Sequence, residues 1–457
     1  MDLYADDALL PSGWARGVRL GIGADGMLTN VAVNASAEGA ERAGGPVVPG
    51  MPNLHSHAFQ RSLAGRTGRR SSGAAGESDS FWTWREAMYA FLDRIDAEAF
   101  GAIAAQAYVE MLRAGYTSVA EFHYVHRDPL GKHYAERAEL SLRIAAAAAE
   151  TGIGLTLLPV FYAHGGFGGA APTPGQRRFV HSLDAFSALI ADLGAAAQRR
   201  DYTLGIAAHR LRAVTADELA AIGSMLPTPA PLHIHAAEQM REVHDCVAAT
   251  GQRPVQWLLD HADIDARWCL VHATHMTADE TARLAKSGAV AGLAPTTEAD
   301  LGDGTFAALP FLAAGGIFGI GSDSNTGIDP YAELRQLEYS QRLLHAARNV
   351  LARDDRPVGH ALYAAAASGG AQSLGQPVGA IAAGRRADLV ALDTADPALA
   401  GIAVEHALDA AIFGPCRGPV RDVMVKGQWV VRDGRHARQD ATLAAYRATL
   451  SRLLSAA

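Results

Sequence analysis

The sequence predicts an α/β protein, a (β/α)8 TIM barrel carrying a small β-sandwich built from both chain termini. Three observations predict it. Eight short apolar runs recur through the middle of the chain, each ending on a polar residue and each followed by a helical pattern. The two ends are rich in strand patterns, yet neither has enough strands to bury a face alone. The length of 457 residues suits a barrel of roughly 250 residues or more with a smaller unit beside it.

Taken in order, residues 13–34 alternate around a Gly-Ala-Asp-Gly turn and read as a hairpin. The barrel runs are PVVPGMPNLHSH (46–57), TSVAEFHY (117–124), GLTLLPVFY (154–162), TLGIAAH (203–209), PLHIHAAE (231–238), WCLVHATH (268–275), AVAGLAPTT (289–297) and IFGIGSDSN (317–325). Between them lie amphipathic Ala/Leu-rich segments such as DAFSALIADLGAAAQRR and TADETARLAKSG, so strand and helix alternate as a parallel barrel requires. Near the far end, RRADLVALD (385–393) and VRDVMVKGQWVVRDGRH (420–436) read as strands again. The expected division is therefore 1–49 and 376–457 for the sandwich and terminal helix, with 50–375 as the barrel. A doubly wound open sheet is the competing architecture, but no G-x-G-x-x-G follows the first strand. The glycines of HGGFGGAAPTPG (164–175) read as a loop.

Composition excludes several function classes. The net charge is −8, and no run of Lys/Arg tracks a phosphate backbone, which argues against nucleic acid. Three cysteines, Cys246, Cys269 and Cys416, are far apart and form no C-x-x-C, so neither a disulfide framework nor a thiolate metal site is expected. A reducing cytoplasm fits. The start MDLYADDALLPSG is acidic where a signal peptide is basic, and no stretch of about 18 apolar residues suggests a membrane span.

Active sites of such barrels sit at the C-terminal ends of the strands. Here those ends carry His55 and His57, Tyr124, His209, His235 with Glu238, His272, and Asp323. In an extended chain residues i and i+2 share a face, so His55 and His57 can converge on one point. With His235 and Asp323 they can hold one divalent metal through three imidazoles and a carboxylate.

The pattern His-x-His, His-x-x-Glu, a strand-six His and a strand-eight Asp resembles the single-metal deaminase branch of the amidohydrolase superfamily. Binuclear members use a lysine at the end of strand four, and this chain has only Lys132, Lys286 and Lys426, none of them there. One metal per chain is expected, Zn²⁺ ahead of Fe²⁺ or Mn²⁺. PGMPNLHSHAFQR, DSFWTWREAMY, AGYTSVAEFHYVH, GQRRF, HIHAAEQ and PTTEADLGDG are closely similar to the formimidoylglutamate deiminases of bacterial histidine degradation. That resemblance implies metal ligands His55, His57, His235 and Asp323. It further implies catalytic roles for Glu238, His272 and Asp323, and substrate binding by Gln60, Arg85, Tyr124, His209 and Arg212. It also implies a homodimer. Two positions depart from the family pattern: Asn325 stands in GSDSN where a histidine is expected, and Arg210 in AAHRLR where APHSLR is expected.

The implied chemistry is hydrolysis of a formimino group, with Asp323 drawing a proton from water and Glu238 passing one to the departing nitrogen. A glutamate moiety offers two carboxylates, and the planar forks of Arg85 and Arg212 suit them. The alternatives are a purine or pterin deaminase on the same barrel and, remotely, a non-catalytic scaffold. His233 and His275 are read as structural, His123 and His126 as loop residues, and the aromatic stripe of FWTWREAMYAFL as helix packing. Arg66, Arg69 and Arg70 in GRTGRRSSGAAGESDS are read as solvated. That stretch is read as a flexible connection rather than a lid.

Overall fold

The protein is described by a computed structural model covering residues 1–66, 81–353, 356–415 and 418–455. Arg69, Arg70 and Cys416 lie outside the described residues, as does nearly all of the Ser/Gly-rich stretch between His57 and Arg85.

The eight predicted runs form one parallel sheet in chain order: Met51–Ser56, Tyr116–His123, Gly154–Phe161, Ile206–Ala208, Leu232–Ala236, Trp268–His272, Val290–Leu293 and Ile317–Ile320. Almost every residue of these strands is buried, as expected for strands lined by side chains inside and helices outside. A single parallel bridge, Ser56 to Asp323, closes the first strand onto the chain just past the eighth. There the Asp323 N–H donates to the His55 carbonyl, and the His57 N–H donates to the Asp323 carbonyl, both at 2.9 Å.

Helix boundaries follow local chemistry. Ala278–Ser287 opens on a capping box in which the Thr277 hydroxyl accepts from the Glu280 N–H and Glu280 reaches back to the Thr277 N–H. Ala97–Ala114 is capped by Asp96 and stops at Gly115, whose φ of 98° is costly for any residue with a Cβ.

Three runs differ in detail from the expectation. The first divides at Gly50, with Val47–Pro49 in the terminal sheet and Met51–Ser56 in the barrel. A Cβ at Gly50 would collide with the Thr117 side chain, so only glycine lets the chain cross there. The fourth is broken into Thr203–Leu204 and Ile206–Ala208. The seventh ends at Leu293, because Pro295 opens the helix Pro295–Leu301.

The termini meet in one continuous nine-stranded sheet. Its central strand, Asp2–Leu10, pairs antiparallel with Gly13–Ile22 and parallel with Val47–Pro49, which in turn pairs with Leu389–Leu392 near the other end of the chain. The acidic opening residues form a strand because Leu3, Ala5 and Ala8 point inward while Asp2 is paired to Arg19 on the wet side. The sheet closes over its own core of Leu3, Ala5, Val18, Leu20, Leu389 and Met424.

The terminal helix, Gln439–Ser455, packs along Ala97–Ala114 of the barrel wall. Tyr446 and Leu453 are buried in that contact, the Tyr446 hydroxyl donates to the Arg61 carbonyl at 3.3 Å, and Arg452 pairs with Asp96, the cap of the neighbouring helix. Among the described residues no helix is long and apolar enough to cross a membrane.

Candidate active site

Three imidazoles converge at the C-terminal rim. His55 Nε2 lies 3.2 Å from His57 Nε2 and 3.1 Å from His235 Nε2, and Asp323 Oδ1 lies 3.5 and 3.3 Å from the first two. Sequence periodicity explains the first pair, since His55 and His57 flank the closing bridge on one face. His57 Nδ1 donates to the Phe122 carbonyl at 3.0 Å, and His235 Nδ1 to the His209 carbonyl at 2.9 Å. Those bonds put the proton on Nδ1 and leave both Nε2 atoms as lone pairs aimed at one point. Lone pairs this close repel unless a cation lies between them, so the donor set fits a divalent metal. Burial, with His55 next, lowers the His57 pKa to about 3, and burial holds His55 and His235 well below the ordinary range. Neutral imidazole is the ligating form.

Beside this cluster Glu238 and His272 face each other, with Glu238 Oε1 at 3.6 Å from His272 Nε2. His272 has a φ of 68°, a conformation costly for a histidine and found where a site dictates the backbone. Its Nδ1 lies 3.3 Å from Glu298 Oε1, and its Nε2 lies 3.8 Å from Asp323 Oδ2. Burial opposes charging of this imidazole, yet Glu238, Glu298 and Asp323 raise its pKa to about 10. Glu238 itself is buried, which raises its pKa, but Arg210 and then His272 bring it below the usual carboxylate value. Arg210 Nη2 donates to Glu238 Oε2 at 2.5 Å and Nη1 to Glu242 Oε2 at 3.0 Å.

The cavity above is lined by His57, Gln60, Arg85, Tyr124, His209, Arg212, His235, Glu238, His272 and Asp323, so every residue singled out from the sequence except the deeper His55 borders it. Gln60 Nε2 donates to the Tyr124 hydroxyl at 3.0 Å, and its buried Oε1 has no partner among the described residues. His209 stacks edge-on to Tyr124 and Tyr162, with Nδ1 buried and without a partner among the described residues. Arg212 Nη1 donates to the Tyr162 hydroxyl at 3.1 Å, and Gln176 donates to that same hydroxyl at 2.6 Å. Arg85 lies over the Trp82 ring, 4.4 Å from its centroid, with a buried Nε that has no partner among the described residues. Among the described residues neither Arg85 nor Arg212 is paired with a carboxylate. Burial lowers the Arg85 pKa, with Arg212 and Arg210 adding to the effect.

Some residues stand elsewhere than expected. The aromatic helix Phe81–Leu92 does more than pack, since Phe81, Trp84, Met88 and Tyr89 line the cavity with Arg85. His123 and His126 are buried, with His126 Nε2 donating to the Val160 carbonyl at 3.1 Å, and stand apart from the imidazole cluster. His233 and His275 bond to the carbonyls of Ser373 and Asp303. Asn325 is satisfied: Oδ1 accepts from Ser322 Oγ at 2.6 Å, and Nδ2 donates to Ser56 Oγ and the Asp323 carbonyl. Its φ of 54° is one that asparagine tolerates. Sequence reasoning assigned no role to Tyr162, Glu298 or Gln176. The last two sit inside the quoted segments PTTEADLGDG and GQRRF, which were signals without a geometry.

Comparison with known proteins agrees with this geometry. The Amidohydrolase family model matches residues 47–430, and the model of the formimidoylglutamate deiminase HutF N-terminal domain matches residues 2–45. A formimidoylglutamate deiminase of Pseudomonas aeruginosa is 53% identical over 453 residues, covering 99% of each chain. An 8-oxoguanine deaminase of the same species is 26% identical over 420 residues, covering 90% of this chain and 88% of its own. The crystal structure of an amidohydrolase from Brucella melitensis superposes with a TM-score of 0.94 at 49% identity over 99% of each chain. An adenosine deaminase from Xanthomonas campestris shares the fold, with a TM-score of 0.81 at 21% identity over 99% of this chain and 98% of that one. The family-model match over residues 47–430 and the 53% identity over 99% of the chain thus place it in the amidohydrolase family, among the formimidoylglutamate deiminases.

Proposed function

We propose that the cavity binds N-formimino-L-glutamate and that the residues on its rim hydrolyse it to N-formyl-L-glutamate and ammonia, a step of histidine degradation. The observation that carries this is that Arg85 and Arg212, neither paired with a carboxylate among the described residues, line one cavity with His57, His235 and Asp323. A substrate with two carboxylates at one end and an amidine at the other matches that lining in chemical character. A purine or pterin offers those arginines ring acceptors but no pair of carboxylates. Gln60 Oε1 and His209 Nδ1, buried without partners, remain to orient the substrate.

His55, His57, His235 and Asp323 would hold one divalent ion, Zn²⁺ ahead of Fe²⁺ or Mn²⁺. When bound, such an ion supplies Lewis acidity and lowers the pKa of water to about 7. Asp323, with its second oxygen toward His272, accepts the proton of the attacking water. His272 donates through Nε2 to the negative charge that develops at the reacting carbon's new oxygen. Glu238, ionised at rest, takes the proton from the hydroxyl of the tetrahedral intermediate and gives it to the departing nitrogen, which leaves as ammonia while the C–N bond breaks and a formyl carbonyl forms. The cavity's aromatic side chains limit bulk water around these transfers.

Residues 50–375 carry the chemistry in this reading, and 1–49 with 376–457 brace them. The working unit is a homodimer in the cytoplasm, as the family resemblance implies. Ammonia release from purified protein supplied with N-formimino-L-glutamate, against a panel of other amidines and of purines and pterins, tests the assignment. Turnover confined to the nucleobases would overturn it.

A further inference from the structure

Arg210, just past the fourth strand, is built into the site. Arg210 is 4% exposed and spans two buried carboxylates, with one arm of its fork on Glu238 and the other on Glu242. Glu242 also takes the backbone: Oε1 accepts from the Ala237 N–H at 3.1 Å and Oε2 from the Glu238 N–H at 3.3 Å. Ala237 stands at a φ of 51°, so the turn that presents Glu238 is one the backbone does not favour unaided. The ring of Phe81 covers the guanidinium, its centroid 5.5 Å from the central carbon.

We propose that Arg210 is a positioning residue for Glu238, fixing Oε2 so that Oε1 alone faces His272 and the departing nitrogen. This rests on the reading of Glu238 as the proton carrier. The terminal torsion of a glutamate is broad, and an untethered carboxylate presents either oxygen over a wide arc. Arg210 removes that freedom because its planar fork engages one oxygen of Glu238 while anchored on a second carboxylate. Glu242 is the anchor, tying the fork and the turn into one unit. A lysine keeps the charge but not the fork, and a serine keeps neither.

The test is a double-mutant cycle on the metal-loaded protein, with ammonia release from N-formimino-L-glutamate and bound metal both measured. Arg210→Ser is expected to lower kcat by roughly 10²-fold, the scale of a misplaced reacting group, with KM changed by less than about threefold. Arg210→Lys should recover part of that loss. In a Glu238→Gln background Arg210→Ser should add less than about twofold, because the residue it positions is gone. A full additional loss in that background, an effect on KM alone, or an unchanged kcat in folded Arg210→Ser would each overturn the proposal. If Arg210→Ser does not fold, Glu242→Gln asks the same question from the anchor's side. A several-fold loss of kcat there supports the clamp, and wild-type kcat overturns it. Near-normal kcat in Glu238→Gln itself would remove the proton carrier, a failure distinct from that of the clamp.

Discussion

Arg212 reaches the cavity wall with its Nη1 donating to the Tyr162 hydroxyl across 3.1 Å, and Gln176 donates to that hydroxyl from the far side. One phenol oxygen therefore accepts from both, which turns the arginine fork inward. Arg212 is oriented before any substrate arrives, and an oriented guanidinium binds a carboxylate with less loss of rotamer freedom.

Arg212→Met removes the charge-assisted contact and leaves the imidazole cluster and Glu238 in place. A site built around a polar group rejects analogues lacking it by roughly 10⁴–10⁵ in kcat/KM. Formimino compounds without the second carboxylate should therefore be very poor for the wild type. The variant should lose most of that preference by turning poor on N-formimino-L-glutamate. Comparable wild-type kcat/KM on glutamate and uncharged amine derivatives would mean that the arginines are not a clamp.

Tyr162→Phe should raise KM several-fold and spare kcat, because it frees Arg212 without touching the reacting groups. A fall in kcat at constant KM would assign the phenol to the chemistry instead.

Elemental analysis of purified protein should find about one divalent metal per chain. His55→Ala or Asp323→Ala should lose it together with turnover. Two tightly bound ions per chain would contradict a rim with no lysine at the end of its fourth strand to bridge them.

Glu238→Gln keeps shape and cannot carry a proton. Metal content should stay at the wild-type level while kcat falls by roughly 10²–10⁴, the usual scale of general acid–base catalysis. Loss of metal along with kcat would instead make Glu238 a structural support.

Glu121, buried behind the first strand, accepts from the Ala58 N–H at 2.7 Å and from the Tyr108 hydroxyl at 3.2 Å. Burial raises its pKa from 4.5 to about 8 despite those bonds. The folded chain holds this proton more tightly than the unfolded chain does. Its stabilising contribution is complete below pH 4.5 and is lost as pH climbs toward 8. Between those limits the melting temperature of the wild type should fall relative to that of Glu121→Gln. Parallel curves for the two proteins across that range would show that Glu121 is ionised throughout.

The barrel was legible because its strands are continuous apolar runs that stop on polar residues, and those stops are the rim. His55, His57, His235, Glu238, His272 and Asp323 each stand at or just past a strand end, so one regularity gave both the fold and the site. Asp2–Leu10 was not legible: its aspartates hid an alternation that only the partner strand explains. Gln439–Ser455 was ambiguous because its apolar residues name no surface, and only the neighbouring Asp96 and Arg61 settle where it lies. The cavity-facing side of Phe81–Leu92 was hidden for a similar reason, since an aromatic helix looks alike whether it meets a core or a substrate. Arg210 was visible as an oddity, but its meaning depends on Glu242, four residues beyond Glu238 on the next element.

The bridge between Ser56 and Asp323 is where the barrel's two edges are sewn, and His55, His57 and Asp323 are the stitches. Their main chains exchange hydrogen bonds across that line while their side chains surround a single point. Separating the edges therefore scatters the ligands, and an ion held among the ligands draws the edges together. Occupancy and closure become one thermodynamic quantity, so amide exchange at His57 and Asp323 reads out metal affinity from the backbone. Chelation should let these two amides exchange before the amides of the fourth strand, half a circumference away.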